Sequence, residues 1–148
     1  SIDENEDARG IRESAKRVAQ LIDEIEAQGI PRNRIVLGGF SQGAAISLFA
    51  GLRMERPIGG VAALSGYLPL AGHLFSEATP GRRTPIFLAH GEFDSVVPPV
   101  MAARSAEVIS QVDPAMIART YPMDHELCQE EMHDLAAFLR NIVERAAN

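Results

Sequence analysis

The chain is 148 residues long, 46% hydrophobic and 23% charged, with a formal net charge of −6. That is one domain of ordinary globular composition, able to bury roughly 70% of its unfolded surface, and it excludes disorder, collagen and coiled coil. The acidic balance, with a pI near 5.2, argues against nucleic acid and anionic membrane surfaces as partners, because both repel an acidic protein.

Asp3, Glu4, Glu6 and Asp7 supply much of the negative charge. They read as a solvated helix start, where acids meet the positive end of the helix dipole, in preference to a cation site. Ile11, Val18, Leu21, Ile22 and Ile25 recur at helical spacing, which predicts a helix over 6–28 with Gly29 as its stop. Ile35, Val36 and Leu37 follow Pro31 as a short buried strand running into Gly38 and Gly39. Residues 43–54 are apolar nearly all round and predict a buried helix. A second strand is expected over 60–65, an irregular Gly/Pro-rich loop over 66–83, and a third strand over 85–89. Pro98 and Pro99 suit the first turn of a helix reaching about residue 111, with Val100, Met101, Val108 and Ile109 inward. A fourth strand is expected over 116–121. The last helix is expected over 127–145, with Leu135, Phe138, Leu139, Ile142 and Val143 on one face.

Strands alternating with helices predict an α/β fold, a three-layer α/β/α sandwich around a parallel sheet of about four strands, as a single domain over 1–148. In such sheets the chemistry lies at the carboxyl ends of the strands. The longest apolar run, Ala44 to Leu52, contains Ser47 and is far too short to span a bilayer. No signal peptide is visible, and the lone Cys128 excludes an internal disulfide framework. Both fit a reducing, cytoplasmic setting.

The first strand runs into Gly39-Phe40-Ser41-Gln42-Gly43, a Gly-x-Ser-x-Gly pattern between a buried strand and a buried helix. Ser41 as a nucleophile needs a sharp, strained turn that lifts its hydroxyl clear of the sheet, with glycines flanking it where a Cβ would not fit. The bland alternative is an ordinary glycine-rich turn, such as a phosphate cradle. A P-loop needs Gly-Lys-Ser/Thr and a dinucleotide loop a third spaced glycine, and neither is present. A serine needs a base, and the base an orienting carboxylate. Of the four histidines, only His90 and His125 follow strands; His73 lies in the irregular loop and His133 inside the last helix. His90 suits a buried structural role. His125 lies in a loop, from which its ring can reach a neighbouring turn. Asp94, after the third strand, is the leading carboxylate, with Glu92 and Asp124 as rivals; Asp124 is adjacent to His125, where side chains point apart. The order Ser41, Asp94, His125 is that of an α/β-hydrolase. Cys128 reads as a small buried helix residue, with a nucleophilic Cys–His pair as the sharper alternative. No metal-ligand spacing is present, and triad chemistry needs no cofactor.

Four segments together carry a resemblance. They are Gly38-Gly39-Phe40-Ser41-Gln42-Gly43-Ala44-Ala45, then Ala63-Leu64-Ser65-Gly66-Tyr67-Leu68-Pro69, then His90-Gly91-Glu92-Phe93-Asp94-Ser95-Val96-Val97-Pro98, and His125 with Cys128-Gln129-Glu130-Glu131-Met132. In this order the chain resembles the carboxylesterase, lysophospholipase and acyl-protein thioesterase family of α/β-hydrolases. The resemblance implies Ser41 as nucleophile, Asp94 as orienter, His125 as base and the Gln42 backbone N–H as one oxyanion donor. It sets Leu68 and its loop, with Val97, along the acyl pocket. The apolar residues Leu68, Leu70, Leu74 and Phe75 point to a small to medium acyl chain.

The family has further strands ahead of the first helix, one ending in a loop that supplies the second oxyanion donor. The expectation is therefore the C-terminal part of the fold, an N-terminally truncated form. It leaves the strand at Ile35, Val36 and Leu37 as an apolar edge that pairs with an upstream segment or a second copy. The main reading is a serine carboxylesterase acting on a small-molecule ester. The alternatives are a thioesterase or lysophospholipase on the same triad, or a non-catalytic hydrolase scaffold acting as a binding module.

Overall fold

The computed structural model describes residues 2–148, with side chains from residue 7 onward. Of the predicted acidic cluster, Asp3, Glu4 and Glu6 lie outside the described side chains, and Asp7 lies within them. Helix α1 spans Ile2–Ala27. It closes where Gly29 takes φ 108°, a left-handed conformation that lets the Ile30 N–H reach back to the Ile25 carbonyl. The sheet strands are β1 (Val36–Phe40), β2 (Gly60–Leu64), β3 (Ile86–Gly91) and β4 (Ile117–Tyr121). The helices between and after them are α2 (Gln42–Gly51), α3 (Leu74–Glu77), α4 (Pro99–Val112) and α5 (Gln129–Ala147).

All strand pairs are parallel, in the order β1-β2-β3-β4. Strands added in one direction by crossovers of one hand place their connecting helices on one face. Accordingly Ile22 of α1, Leu48 of α2 and Ile109 of α4 share a core with Val61, Ala63, Ile86 and Leu88. The alternate strand residues Leu64, Phe87 and Ala89 face the other way, onto Phe138 and Ile142 of α5. Helix α2 is buried over Ala44, Ala45 and Ser47–Gly51, as its all-round apolar sequence requires, and α1 packs against it.

Several predicted details shift, each for a physical reason. β1 runs over Val36–Phe40 because its ladder with β2 starts at Val36↔Gly60 and continues through both glycines to Phe40↔Leu64. β3 extends to His90 and Gly91 because β4 continues to pair with it there. α2 ends at Gly51, three residues early, and the 66–83 loop contains α3 and two short 3-10 turns. On α4 the inward stripe is Ala102, Ser105 and Ile109. Val100, nine residues before Ile109 and so about half a turn away at roughly 100° per residue, is 72% exposed, and Met101 is exposed as well. On α5 the stripe is Leu135, Phe138 and Ile142; Leu139 and Val143 each fall one residue off it and are exposed, as is Leu21 beside buried Ile22 on α1. Among the described residues no helix is long and apolar enough to cross a membrane.

Candidate active site

Three of the four strands deliver one polar residue each at their carboxyl ends. Ser41 follows β1, Asp94 follows β3 and His125 follows β4. Ser41 sits between strand and helix with φ 59° and ψ −115°. Positive φ in a serine costs of order 1–3 kcal/mol and persists only where its surroundings fix it. Here the Ser41 N–H extends the β1–β2 ladder by donating to the Leu64 carbonyl at 2.8 Å. Its own carbonyl accepts the Ala45 N–H at 3.1 Å and so starts α2.

Gly39 makes the turn sterically feasible. A Cβ there would strike the Gly43 carbonyl group and lie 2.8 Å from the Ala44 nitrogen, all of it backbone. Gly43 does not share that need, because a Cβ on it meets nothing within 4 Å. The expectation that both flanking glycines are required holds at Gly39 alone. The close approach is between β1 and the first turn of α2, and Gly43 supplies only the backbone that Gly39 faces.

The His125 ring bridges the other two residues. Its Nδ1 lies 2.8 Å from Asp94 Oδ2 and its Nε2 3.0 Å from Ser41 Oγ. A carboxylate only accepts, so Nδ1 carries the proton and donates it. Nε2 then keeps a lone pair that accepts the Ser41 O–H. Phe40 packs on the same ring, with centroids 4.7 Å apart and planes tilted by 46°.

Asp94 has a fully buried side chain. Burial alone would raise its pKa, but the opposing hydrogen bonds win. His125 donates to Oδ2, and the Val97 and Val96 N–H groups donate to Oδ1 at 2.8 Å each. The carboxyl is held below its ordinary range and stays charged. His90, buried in β3, donates its Nε2–H to the Val97 carbonyl at 2.9 Å, and the same nitrogen lies 3.3 Å from Asp94 Oδ2. Its Nδ1 is buried without a partner. His90 is therefore a buried, hydrogen-bonded neighbour of the same carboxylate oxygen that His125 meets, and it makes no contact with Ser41 Oγ among the described hydrogen bonds.

The rivals go elsewhere. Glu92 is exposed, with its N–H on the Tyr121 carbonyl. The exposed Asp124 bonds to Ser95 and to the His125 backbone, not to the imidazole. Cys128 is not inside a helix: it is the N-cap of α5, its sulfur accepting the Glu131 N–H at 3.5 Å while Glu131 Oε1 accepts the Cys128 N–H at 3.3 Å. The sulfur is thus engaged in a reciprocal capping box, and the hydrogen bonds of the His125 ring go to Asp94 and Ser41.

A cavity of about 560 Å³ adjoins Ser41. Gln42 and Val97 line it, together with Tyr67, Pro69, and Asp7 and Ile11 of α1. Leu68 does not: it is 3% exposed and packs in the core with Leu74, while its neighbours Tyr67 and Pro69 face the cavity. Burying a leucine yields about 1.5–3 kcal/mol, so the core takes this side chain. Phe75 is exposed at the surface. The predicted apolar loop thus divides between core, cavity and solvent. Tyr67, Pro69, Asp7 and the Phe40 contact sit in no sequence pattern that specifies direction, and Ile11 reads in the sequence as part of the apolar stripe of α1 and not as a cavity residue.

A serine on a positive-φ strand-to-helix turn, facing a histidine and a buried aspartate from later strand ends of a parallel sheet, defines an α/β-hydrolase fold. The chain belongs to the Phospholipase/Carboxylesterase family, whose sequence model matches residues 1–143. It is 39% identical over 152 residues to acyl-protein thioesterase 1 of Mycosarcoma maydis, covering 93% of this chain and 63% of that protein. With acyl-protein thioesterase 1 of Gibberella zeae it shares 40% over 144 residues, covering 95% and 61%. The crystal structure of Arabidopsis thaliana SOBER1 superposes with a TM-score of 0.85 at 24% identity, covering 90% of this chain and 65% of that one, a likeness of fold. The chain spans about three-fifths of the length of these thioesterases.

Two measurements check the site. Gly39→Ala should lose about 1–3 kcal/mol or more in urea unfolding, because its Cβ meets backbone that cannot turn aside. Gly43→Ala should hold or gain stability by up to about 1 kcal/mol from helix propensity. Asp94, with its lowered folded pKa, contributes stability that is complete above the unfolded value and is lost as pH falls through the folded one. The stability difference between wild type and Asp94→Asn should therefore be constant near neutrality and shrink from about pH 5 downward. A difference that stays flat to pH 2.5 contradicts it.

Proposed function

We propose that this chain carries the catalytic centre of a serine hydrolase that cleaves carboxylic esters or thioesters through an acyl-enzyme. The observation that supports it most is the continuous hydrogen-bonded run from Ser41 Oγ through His125 to Asp94, at 3.0 and 2.8 Å. His125 Nε2 takes the Ser41 proton as Oγ attacks the carbonyl carbon. Asp94 stabilises the imidazolium that forms. The carbonyl oxygen becomes an oxyanion beside the Gln42 N–H, at the first turn of α2, where amides lack helical acceptors and the dipole favours negative charge. The tetrahedral intermediate collapses, the acyl–leaving-group bond breaks, and the imidazolium gives its proton to the leaving alcohol or thiol. Water, deprotonated by His125, then releases the acid and restores Ser41.

The names of the relatives favour an acyl thioester over a simple ester. The cavity's mostly uncharged walls favour a small to medium acyl chain, now along Tyr67, Pro69, Ile11 and Val97 instead of Leu68. A lone cysteine, Cys128, supports a reducing, cytoplasmic setting. β1 has one strand neighbour among the described residues, which supports pairing of its free edge with an upstream segment or a second copy.

Ser41→Ala should lower p-nitrophenyl butyrate hydrolysis by at least about 1,000-fold and abolish fluorophosphonate labelling, with circular dichroism unchanged. Wild-type turnover in that variant overturns the assignment. Asp7 is the one charged side chain among the described residues that line the cavity. Neutral butyrate esters should therefore be preferred over anionic succinate monoesters, with roughly two- to fivefold of that ratio due to this carboxylate. Asp7→Asn should remove that part, read as the ratio of kcat/KM values.

A further inference from the structure

The loops that bear Asp94 and His125 are joined by more than the bond between those two side chains. Sheet pairing of β3 with β4 ends at Gly91↔Tyr121. Backbone bonds carry the two chains on together: the Glu92 N–H donates to the Tyr121 carbonyl at 2.8 Å and the Phe93 N–H to the Met123 carbonyl at 3.1 Å. The next link is a side chain. Asp124 Oδ1 accepts the Ser95 N–H at 2.8 Å, the Ser95 O–H at 2.8 Å and the His125 N–H at 2.7 Å. Ser95 directly follows Asp94, and Asp124 directly precedes His125. Glu126 completes the loop, its Oε2 accepting the Asp124 N–H at 3.3 Å.

We propose that Asp124 is a positioning residue that latches the His125 loop onto the Asp94 loop and so sets the reach of the imidazole to both Asp94 and Ser41. It touches neither the imidazole nor the reacting atoms. The inference rests on the serine-hydrolase reading above. The Asp94–His125 bond alone leaves the ring free to pivot about that contact. The latch holds the backbone at both ends of it: the residue after Asp94 is tied through its N–H and O–H, and His125 through its own N–H. Ser95 and Asp124 are both exposed, so burial does not hold this arrangement and the hydrogen bonds must. Those donors, the Ser95 N–H and O–H foremost, also keep the Asp124 carboxyl below its ordinary range, as expected of a carboxylate gathered by convergent N–H and O–H groups.

The test compares Asp124→Ala, Asp124→Asn and Ser95→Ala with wild type. The readouts are the rate of fluorophosphonate labelling at Ser41, kcat and KM for p-nitrophenyl butyrate, the acid limb of the pH profile, and hydrogen exchange at the Ser95 and His125 amides. Small displacements of a catalytic group cost up to about 100-fold. Asp124→Ala should lower kcat and labelling by about 10- to 100-fold, leave KM nearly unchanged and deprotect both amides. Asp124→Asn keeps an acceptor oxygen and should recover most of the rate with the acid limb in place. Equal loss in both variants, with the acid limb moved to lower pH, means that the charge acts on the imidazolium and overturns the latch. Wild-type rates in Asp124→Ala also overturn it. If Asp124→Ala does not fold, Ser95→Ala should still slow labelling, and an unchanged rate there counts against the proposal. A wild-type chain that takes no label overturns the serine-hydrolase reading, and this inference with it. A wild-type chain that labels no faster than Asp124→Ala overturns this inference alone.

Discussion

Ser41 occupies a conformation that an L residue adopts reluctantly, and most of the surrounding structure can be traced to keeping it there. Its φ of 59° turns the chain from strand to helix within one residue. The strain of roughly 1–3 kcal/mol is offset by neighbours that leave no alternative. The N–H is held by β2 at Leu64, the carbonyl by α2 at Ala45, and Gly39 allows the first turn of α2 to lie against the strand it has just left. On the other side, a Cβ on Gly66 would lie 2.8 Å from the Ser41 carbonyl, so the end of β2 must also run bare past the turn. Relaxing the serine would require moving α2, and α2 is anchored in the core by Leu48 and Phe49, both almost wholly buried.

The imidazole and the carboxylate are held by other means than the serine. His125 and Asp94 sit on the loops that follow β4 and β3. Their order comes from hydrogen bonds. Asp94 is a buried charge, which is tolerable only because Val96, Val97 and His125 all donate to it. The His90 Nε2, 3.3 Å from Oδ2, adds a donor that already serves the Val97 carbonyl. The carboxylate is thus fixed in place, which in the proposed reaction would leave little reorganisation when the imidazole becomes charged.

What could be read from the sequence follows from which features are local. Gly39, Ser41 and the apolar runs on either side specify a strand, a turn and a helix within about twenty residues, and the fold keeps them. The order Ser41, Asp94, His125 needed only the rule that polar residues after parallel strands converge. Direction was the harder matter. Leu68 lies between Tyr67 and Pro69, and only packing decides which of three neighbours faces the cavity. Val100 is as apolar as Ile109, and the sheet uses one and leaves the other to solvent. Cys128 reads as a helix residue because cysteine is a poor capping signal. The indication was Glu131 three residues on, the other half of a capping box.

These two kinds of rigidity have different consequences. On the Ser41 side the geometry is set by close packing, so disturbance comes from added volume or lost core contacts and is felt as stability first. On the His125 side it is set by a short series of hydrogen bonds, from the buried Asp94 to the exposed Asp124 and Ser95, so disturbance would come as a small shift of the ring when one donor or acceptor is lost. Catalysis is far more sensitive than stability to such a shift, because proton transfer requires hydrogen-bond distance at both ends of the imidazole. Phe40 connects the two sides. It belongs to β1, the strand that ends at Ser41, yet its ring rests on His125 at 4.7 Å. The packed half of the site therefore limits how far the hydrogen-bonded half can swing, and Ser41 and the His125 ring are referenced to the same strand end.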